Sequence, residues 1–316
     1  RRHTLGEVHP DVAANLKLLG DIKTSMGAFL AAQESYSEAL QMASSFWREG
    51  HRHVGDLYDA IGFCYFQMEH FDMASRMSTT ALDKRRKAYG NKHPAVAESL
   101  CHLGLSLNKT GDYGRALELQ DEALTIYRTY FGSSHSSTAG ALANMALTLV
   151  AVGDFDRAEE LTREALAIDR ANHGEEHPST ATILGNLGRI RYLQGNLLEA
   201  ESAQEQALLV SRARMGNRHP GTGRLIRQFG DTLRELNQLA NARRLHQEAV
   251  DISRFNFGDE HSSTGVALCE LAITLACCGD KIEAQEHLSR GLSLIPKEDP
   301  AYAKYKVLLV AETDAR

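Results

Sequence analysis

The chain has 316 residues, of which 43% are hydrophobic and 24% charged, and it carries a formal net charge of −6. That balance argues against a nucleic-acid binder, which would be strongly basic, and no apolar run of about 18 residues exists to span a membrane. The five cysteines, Cys64, Cys101, Cys269, Cys277 and Cys278, are odd in number and lack CxxC spacing. They are expected to be buried, reduced thiols of a cytoplasmic protein rather than a disulfide frame or a zinc site. The first residues do not read as a signal peptide.

In chain order, residues 1–8 come first, and Arg1 to Gly6 ("RRHTLG") match the last turn of a helix seen again as "KRRKAYG" at 84. They read as the end of a preceding helix or repeat. From His9 onward a step of 42 residues lands on His51, His93, His135, His177, His219 and His261 without an insertion. The same step joins Ala32, Ala74, Ala116, Ala158, Ala200, Ala242 and Ala284, and joins Ala39 through Ala249 to Gly291. Residues 9–298 therefore read as seven 42-residue units. Residues 299–316, with "PAYAKYKVLLVAE" spacing Tyr302, Tyr305 and Leu309 along one face, read as a C-terminal capping helix and tail.

Within the fourth unit, Leu142, Met145, Leu149 and Val150 precede Gly153, and Phe155, Ala158, Leu161, Ala165, Leu166 and Ile168 follow it. Spacings of three, four and seven predict an amphipathic helix on each side. Glycine between them suits a left-handed residue that ends the first helix. Gly27, Gly111, Gly153, Gly195 and Gly279 hold that place, with Glu69 and Asn237 as the departures. The alanine columns predict two antiparallel helices in close approach, and a hairpin of this kind buries its apolar face only by stacking on its neighbours.

The repeated histidine, followed by Pro10, Pro94, Pro178 and Pro220 in four units, is expected at or near a helix N-cap. Equivalent histidines of adjacent units stand two helix spacings apart, each about 8–10 Å, too far to share a metal ion. Arg2, Arg86, Arg128, Arg170, Arg212 and Arg254 form a second ladder, expected to cap helix C-termini and to pair between units. Trp47 shares its column with Leu5, Tyr89, Phe131, His173, Met215 and Phe257 and is expected in the core.

With a small residue at Gly20 and alanine columns 12 and 19 positions later, the unit resembles the tetratricopeptide repeat. The 42-residue length, the G-x-x-H-P link and the Ala-Leu of the second helix ("EALTIYRTYFG", "EALAIDRANHG") are similar to the kinesin light chain subtype, and nephrocystin-type proteins share them. The resemblance implies an all-α, right-handed superhelical solenoid whose first helices line a concave groove that reads short acidic peptides containing an aromatic residue. In that family asparagines in the Lys17 column and a lysine in the Ala14 column hold the peptide. Here Arg227 and Arg224 occupy those columns in the sixth unit, and no asparagine stands in the Lys17 column.

Read across units, the inward columns offer two zones. Leu105, Asn108, Ala143, Leu147 and Val150 form an apolar floor in units three and four, and Arg189, Tyr192, Arg224, Arg227 and Arg234 a basic zone in units five and six. An apolar floor with arginines suits an extended peptide with large apolar anchors and carboxylates; the alternative is a solvated face with local pairs such as Arg227–Asp231. No nucleophile–base set, phosphate loop or metal-spaced cluster stands out, so neither catalysis nor a cofactor is expected. The leading expectation is a non-catalytic adaptor for an acidic, aromatic-containing peptide, with a motor or cytoskeletal complex as partner and a cytoplasmic, cytoskeletal or ciliary location. A strut in a microtubule-based or ciliary assembly, binding through its outer surface, is the alternative, and a recognition arm of a larger enzyme a third.

Overall fold

A computed structural model describes residues 9–47, 51–297 and 299–313. The expected helix end at residues 1–8 lies outside the described residues. Among the described residues there are fifteen helices and no strand, an all-α repeat solenoid. No described helix is long and apolar enough to cross a membrane.

The chain divides into two compact units, Arg1–Asn172 and His173–Arg316. The first holds four helix pairs: α1 (Pro10–Ser25) with α2 (Phe29–Phe46), α3 (Arg52–Gln67) with α4 (Phe71–Tyr89), α5 (Pro94–Thr110) with α6 (Tyr113–Phe131), and α7 (Ser136–Ala151) with α8 (Phe155–His173). The second holds α9 (Pro178–Leu193) with α10 (Leu197–Met215), α11 (Pro220–Glu235) with α12 (Leu239–Phe257), α13 (Ser262–Cys278) with α14 (Lys281–Leu294), and a last helix α15 (Pro300–Thr313).

Each pair begins at its histidine. His9, His93, His135, His177, His219 and His261 are N-caps whose Nδ1 accepts the backbone N–H two residues on, at 3.1–3.2 Å. This satisfies one of the amides a helix start leaves unpaired. His51 occupies the same place without that bond and stacks on Trp47 at 4.9 Å. Similar stacks join Tyr89 to His93, Phe131 to His135, His173 to His177 and Phe257 to His261. The column of Trp47 is therefore not core. Its described members are half-buried or exposed, and Trp47, Tyr89, Phe131, His173 and Phe257 stack on the capping ring four residues later. In four links a threonine adds a latch: Thr138, Thr180, Thr222 and Thr264 donate to the carbonyls of Gly132, Gly174, Gly216 and Gly258 at 2.7–2.9 Å.

The turn inside each pair needs a left-handed residue. Gly27, Gly111, Gly153, Gly195 and Gly279 supply it, and Glu69 (φ 61°) and Asn237 (φ 59°) adopt the same conformation without being glycine. The two alanine columns are buried throughout. At two places the small column leaves no room for a Cβ: one on Gly188 would lie 2.6 Å from Gln204 Cγ, and one on Gly230 2.5 Å from His246 Nε2. On the outer side of the second helices the arginine ladder pairs between neighbours, Arg86 with Glu122 at 2.7 Å and Arg128 with Glu164 at 2.9 Å in the first unit, and Arg212 with Glu248 at 2.6 Å in the second. In the second unit α15 closes the stack, with Tyr305 buried among Cys269, Leu288 and Leu292.

Candidate functional site

In the first unit, the helices α3, α5 and α7 present a strip of half-buried apolar side chains. Leu105, Leu147 and Val150 lie there as expected, and Phe63 and Phe66 occupy the same two columns one unit earlier. Asn108 turns its amide away from solvent and donates to Thr148 Oγ1 at 3.1 Å. Ala143 is a correction to the expected floor. It is buried, as are Asp59 and Cys101 in its column, so in these units the column packs between helices and offers no surface.

Beside the strip lies a buried ion cluster that periodicity did not single out. Arg85 of α4 reaches Asp56 at 3.0 Å, Asp59 at 3.2 Å and Glu98 at 3.1 Å, and donates to Ser99 Oγ and the Ala95 carbonyl, each at 2.9 Å. Ser99 in turn donates to Asp59 at 2.8 Å, and His102 Nδ1 donates to the other Asp59 oxygen at 3.0 Å. Burial pushes the Asp59 carboxyl up, but the His102 charge and hydrogen bond, then Arg85 and Ser99, hold it down at about 2. Burial pulls the His102 imidazole down, and Asp59 and then Glu98 more than reverse this, so its value lies above the ordinary one. The ring of His102 packs against Phe63 at 5.1 Å, which joins the cluster to the apolar strip.

In the second unit, the five expected residues divide. Arg189 lies over the Tyr192 ring at 4.8 Å. Its Nη1 stands 3.7 Å from Asp231, beyond hydrogen-bond reach, and makes no hydrogen bond among the described residues. Arg224 is exposed and Arg227 half-buried on α11. Arg234 is a correction to the expected ligand-facing set. Its side chain is 9% exposed and bridges Asp231 at 3.2 Å and Glu270 at 3.1 Å, so it braces α11 against α13.

Asp231 organises this zone, and the Arg227 charge acts on it. The buried carboxylate faces Arg189, Arg234 and, at 3.4 Å, the fully buried His246 of α12. Burial pushes Asp231 up, but the His246 hydrogen bond, then the Arg227 and Arg234 charges, hold it far below the carboxylate range. Glu270 is the second buried carboxylate and accepts from Tyr305 at 2.6 Å and Lys304 at 2.7 Å, which anchors α15. Asp231 was visible in the sequence within an inward column, but nothing in periodicity marks a carboxylate as buried.

The thiols also divide. Cys64, Cys101 and Cys269 are buried, and burial pushes Cys64 up to about 11 and the other two up to about 12. Cys277 and Cys278 are exposed at the C-terminus of α13, contrary to expectation, because the apolar run ends there at the Gly279 turn.

The paired helices, alanine columns and left-handed turns set the register against which the chain can be compared. The family model described as MalT-like TPR region matches residues 104–311, more than half of the chain. The chain belongs to this tetratricopeptide repeat family. A second tetratricopeptide repeat model matches residues 54–129. No curated protein matches the chain.

Among solved structures, the chain is similar to nearly identical TPR-like repeats assigned to a kinesin light chain of Podosopora anserina, with 25% identity over 64% of this chain and 96% of that one and a TM-score of 0.52. BtubC (BKLC) from P. vanneervenii shares the fold at 20% identity, covering 72% of this chain and 90% of that one, with a TM-score of 0.57. A Rap conjugation gene regulator of the plasmid pLS20, solved with the Phr* peptide, shares it at 16% identity over 93% of this chain and 74% of that one, with a TM-score of 0.69. With its 42-residue stride, this tetratricopeptide repeat protein is of the kinesin light chain-like type.

Proposed function

We propose that this tetratricopeptide repeat protein is a non-catalytic interaction scaffold that binds an extended acidic segment of a partner protein. The observation that carries the reading is the accessible arginine and tyrosine surface on α9 and α11. Arg189 lies over the Tyr192 ring at 4.8 Å, Arg224 is exposed and Arg227 is half-buried, and all three belong to the first helices of neighbouring hairpins. Accessible arginines of this kind bind ligand carboxylates through charge-assisted bonds, and the Tyr192 face supports an adjoining side chain. The Phe63, Leu105 and Leu147 strip of the first unit is a separate surface for an aromatic or aliphatic group. The kinesin light chain-like and peptide-complexed relatives favour a peptide ligand and a motor or cytoskeletal partner.

A peptide-library screen against the chain tests this. It is expected to enrich acidic, aromatic-containing sequences, and Arg224→Glu with Arg227→Glu is expected to abolish their capture while circular dichroism stays unchanged. Enrichment of basic or neutral sequences, or capture that survives the double change, refutes the reading.

A further inference from the structure

Five rings run in one line along two successive links of the first unit. Tyr89 stacks on His93 at 4.3 Å, His93 meets Tyr130 edge-on at 6.0 Å, Tyr130 meets Phe131 edge-on at 4.9 Å, and Phe131 stacks on His135 at 4.1 Å. The two stacks belong to helix caps, but Tyr130 of α6 joins them into a continuous ridge. It is 59% exposed and Phe131 is 40% exposed, while Tyr89, His93 and His135 are half-buried. The counterparts of Tyr130 show that the fold does not require a ring there. Asn172 and Asn256, one and three strides on, donate to the carbonyls of Ser134 and Arg218 in the preceding link, at 2.7 and 2.8 Å, and Arg214 pairs with Glu176. Each ties its helix to the link before it with a polar group. Tyr130 makes the same tie through its ring contact with His93 and leaves an aromatic surface in water, the kind of patch that marks an interaction site.

The polar groups of the ridge are donors. His93 Nδ1 and His135 Nδ1 accept the Ala95 and Ser137 amides at 3.1 Å, so the proton of each neutral ring sits on Nε2. Neither Nε2 has a hydrogen-bond partner among the described residues, and the Tyr130 hydroxyl adds a further donor. We propose that this ridge binds a proline-rich segment of a partner protein in the polyproline II conformation. Such a segment has no internal hydrogen bonds, so its carbonyls are open acceptors, and each proline lacks an N–H. It offers acceptors and apolar pyrrolidine rings together, which is the complement of an aromatic surface that carries donors. An added β-strand would bring N–H groups, and a saccharide hydroxyl groups, that the two Nε2–H groups cannot accept. Nucleic acid is opposed by the net charge of −6. The ridge lies in the first unit and uses none of the second-unit arginines, so this proposal is independent of the acidic-segment reading.

Fluorescence anisotropy with a labelled polyproline peptide of about ten residues tests this, together with NMR of the histidine rings. Saturable binding is expected, with the Nε2–H resonances of His93 and His135 shifting most among the histidines. Tyr130→Asn installs the side chain that Asn172 and Asn256 use in the same column, and is expected to weaken binding about tenfold or more with Tm almost unchanged. Arg224→Glu with Arg227→Glu is expected to leave polyproline binding intact, so failure here and failure of the acidic-segment reading are told apart. Absence of binding at millimolar peptide, or binding undiminished by Tyr130→Asn, overturns the proposal. So does a gluco-oligosaccharide that shifts the His93 and His135 rings where the peptide does not, which would make a saccharide the ligand.

Discussion

Arg85 and Asp59 meet at 3.2 Å with both side chains 5% exposed, an ion pair drawn from the second helix of a pair and the first helix of the same pair. A third helix, α5, completes it through Glu98, Ser99 and His102. Burial of charge is costly, so such a cluster contributes more by fixing which helices meet than by lowering the free energy of the fold. It also stands directly behind the Phe63 end of the apolar strip.

The first prediction concerns removal of the cation. Arg85→Met leaves Asp56, Asp59 and Glu98 together without their shared guanidinium, and is expected to destabilise by about 3–5 kcal/mol. Asp59→Asn leaves Arg85 two other carboxylates and is expected to cost less. Thermal unfolding of the two variants checks the order, and a milder effect of Arg85→Met refutes it.

The second concerns pH. His102 is raised above its ordinary value, so its pairing with Asp59 stabilises fully below about pH 6.5 and is lost as pH rises through the raised value. Asp59 is lowered, so its share is present above about pH 3.9 and is lost as pH falls through about 2. Titration of the His102 ring by NMR is expected to show the raised value, and Asp59→Asn is expected to bring it down.

The capping histidines yield a third test. His135→Ala loses the bond to the Ser137 amide and is expected to cost about 1 kcal/mol, part of it from the lost Phe131 stack. His135→Asn restores a capping oxygen but not the ring, so the difference in denaturation midpoint between the two variants isolates the cap. Equal midpoints would assign the whole effect to stacking.

At Gly230, alanine would set a methyl group 2.5 Å from His246 Nε2. Gly230→Ala is expected to cost about 1–3 kcal/mol through overpacking and to shift the His246 ring resonances as the ring moves from Asp231. The same change at Gly140, where a Cβ meets nothing within 4 Å, is expected to be neutral or slightly stabilising.

The arginines of the second unit separate by function. Arg189→Gln is expected to weaken binding of an acidic peptide about tenfold, with little change in Tm, because its contact with Asp231 is loose. Arg234→Gln is expected to lower Tm as well, since it bridges two buried carboxylates. Fluorescence anisotropy with thermal melts distinguishes them, and identical behaviour would contradict the division.

The sequence alone determined the helix pairs, their stride, the capping role of the histidines and the buried alanine columns, because each rests on local spacing repeated seven times. Glu69 and Asn237 show the strength of that signal: their column required a left-handed residue, and they adopt it without glycine. Tertiary structure alone decided which inward side chains are surface and which are packing. Ala143, Arg234 and Asp231 look like neighbours of Leu147, Arg227 and Arg189 in a table of columns, yet the first three are buried or internally bridged. The physical reason is that burial and pairing of a charge depend on side chains 36 to 43 residues away, such as Glu270 for Arg234 and His102 for Asp59, and no local period records them.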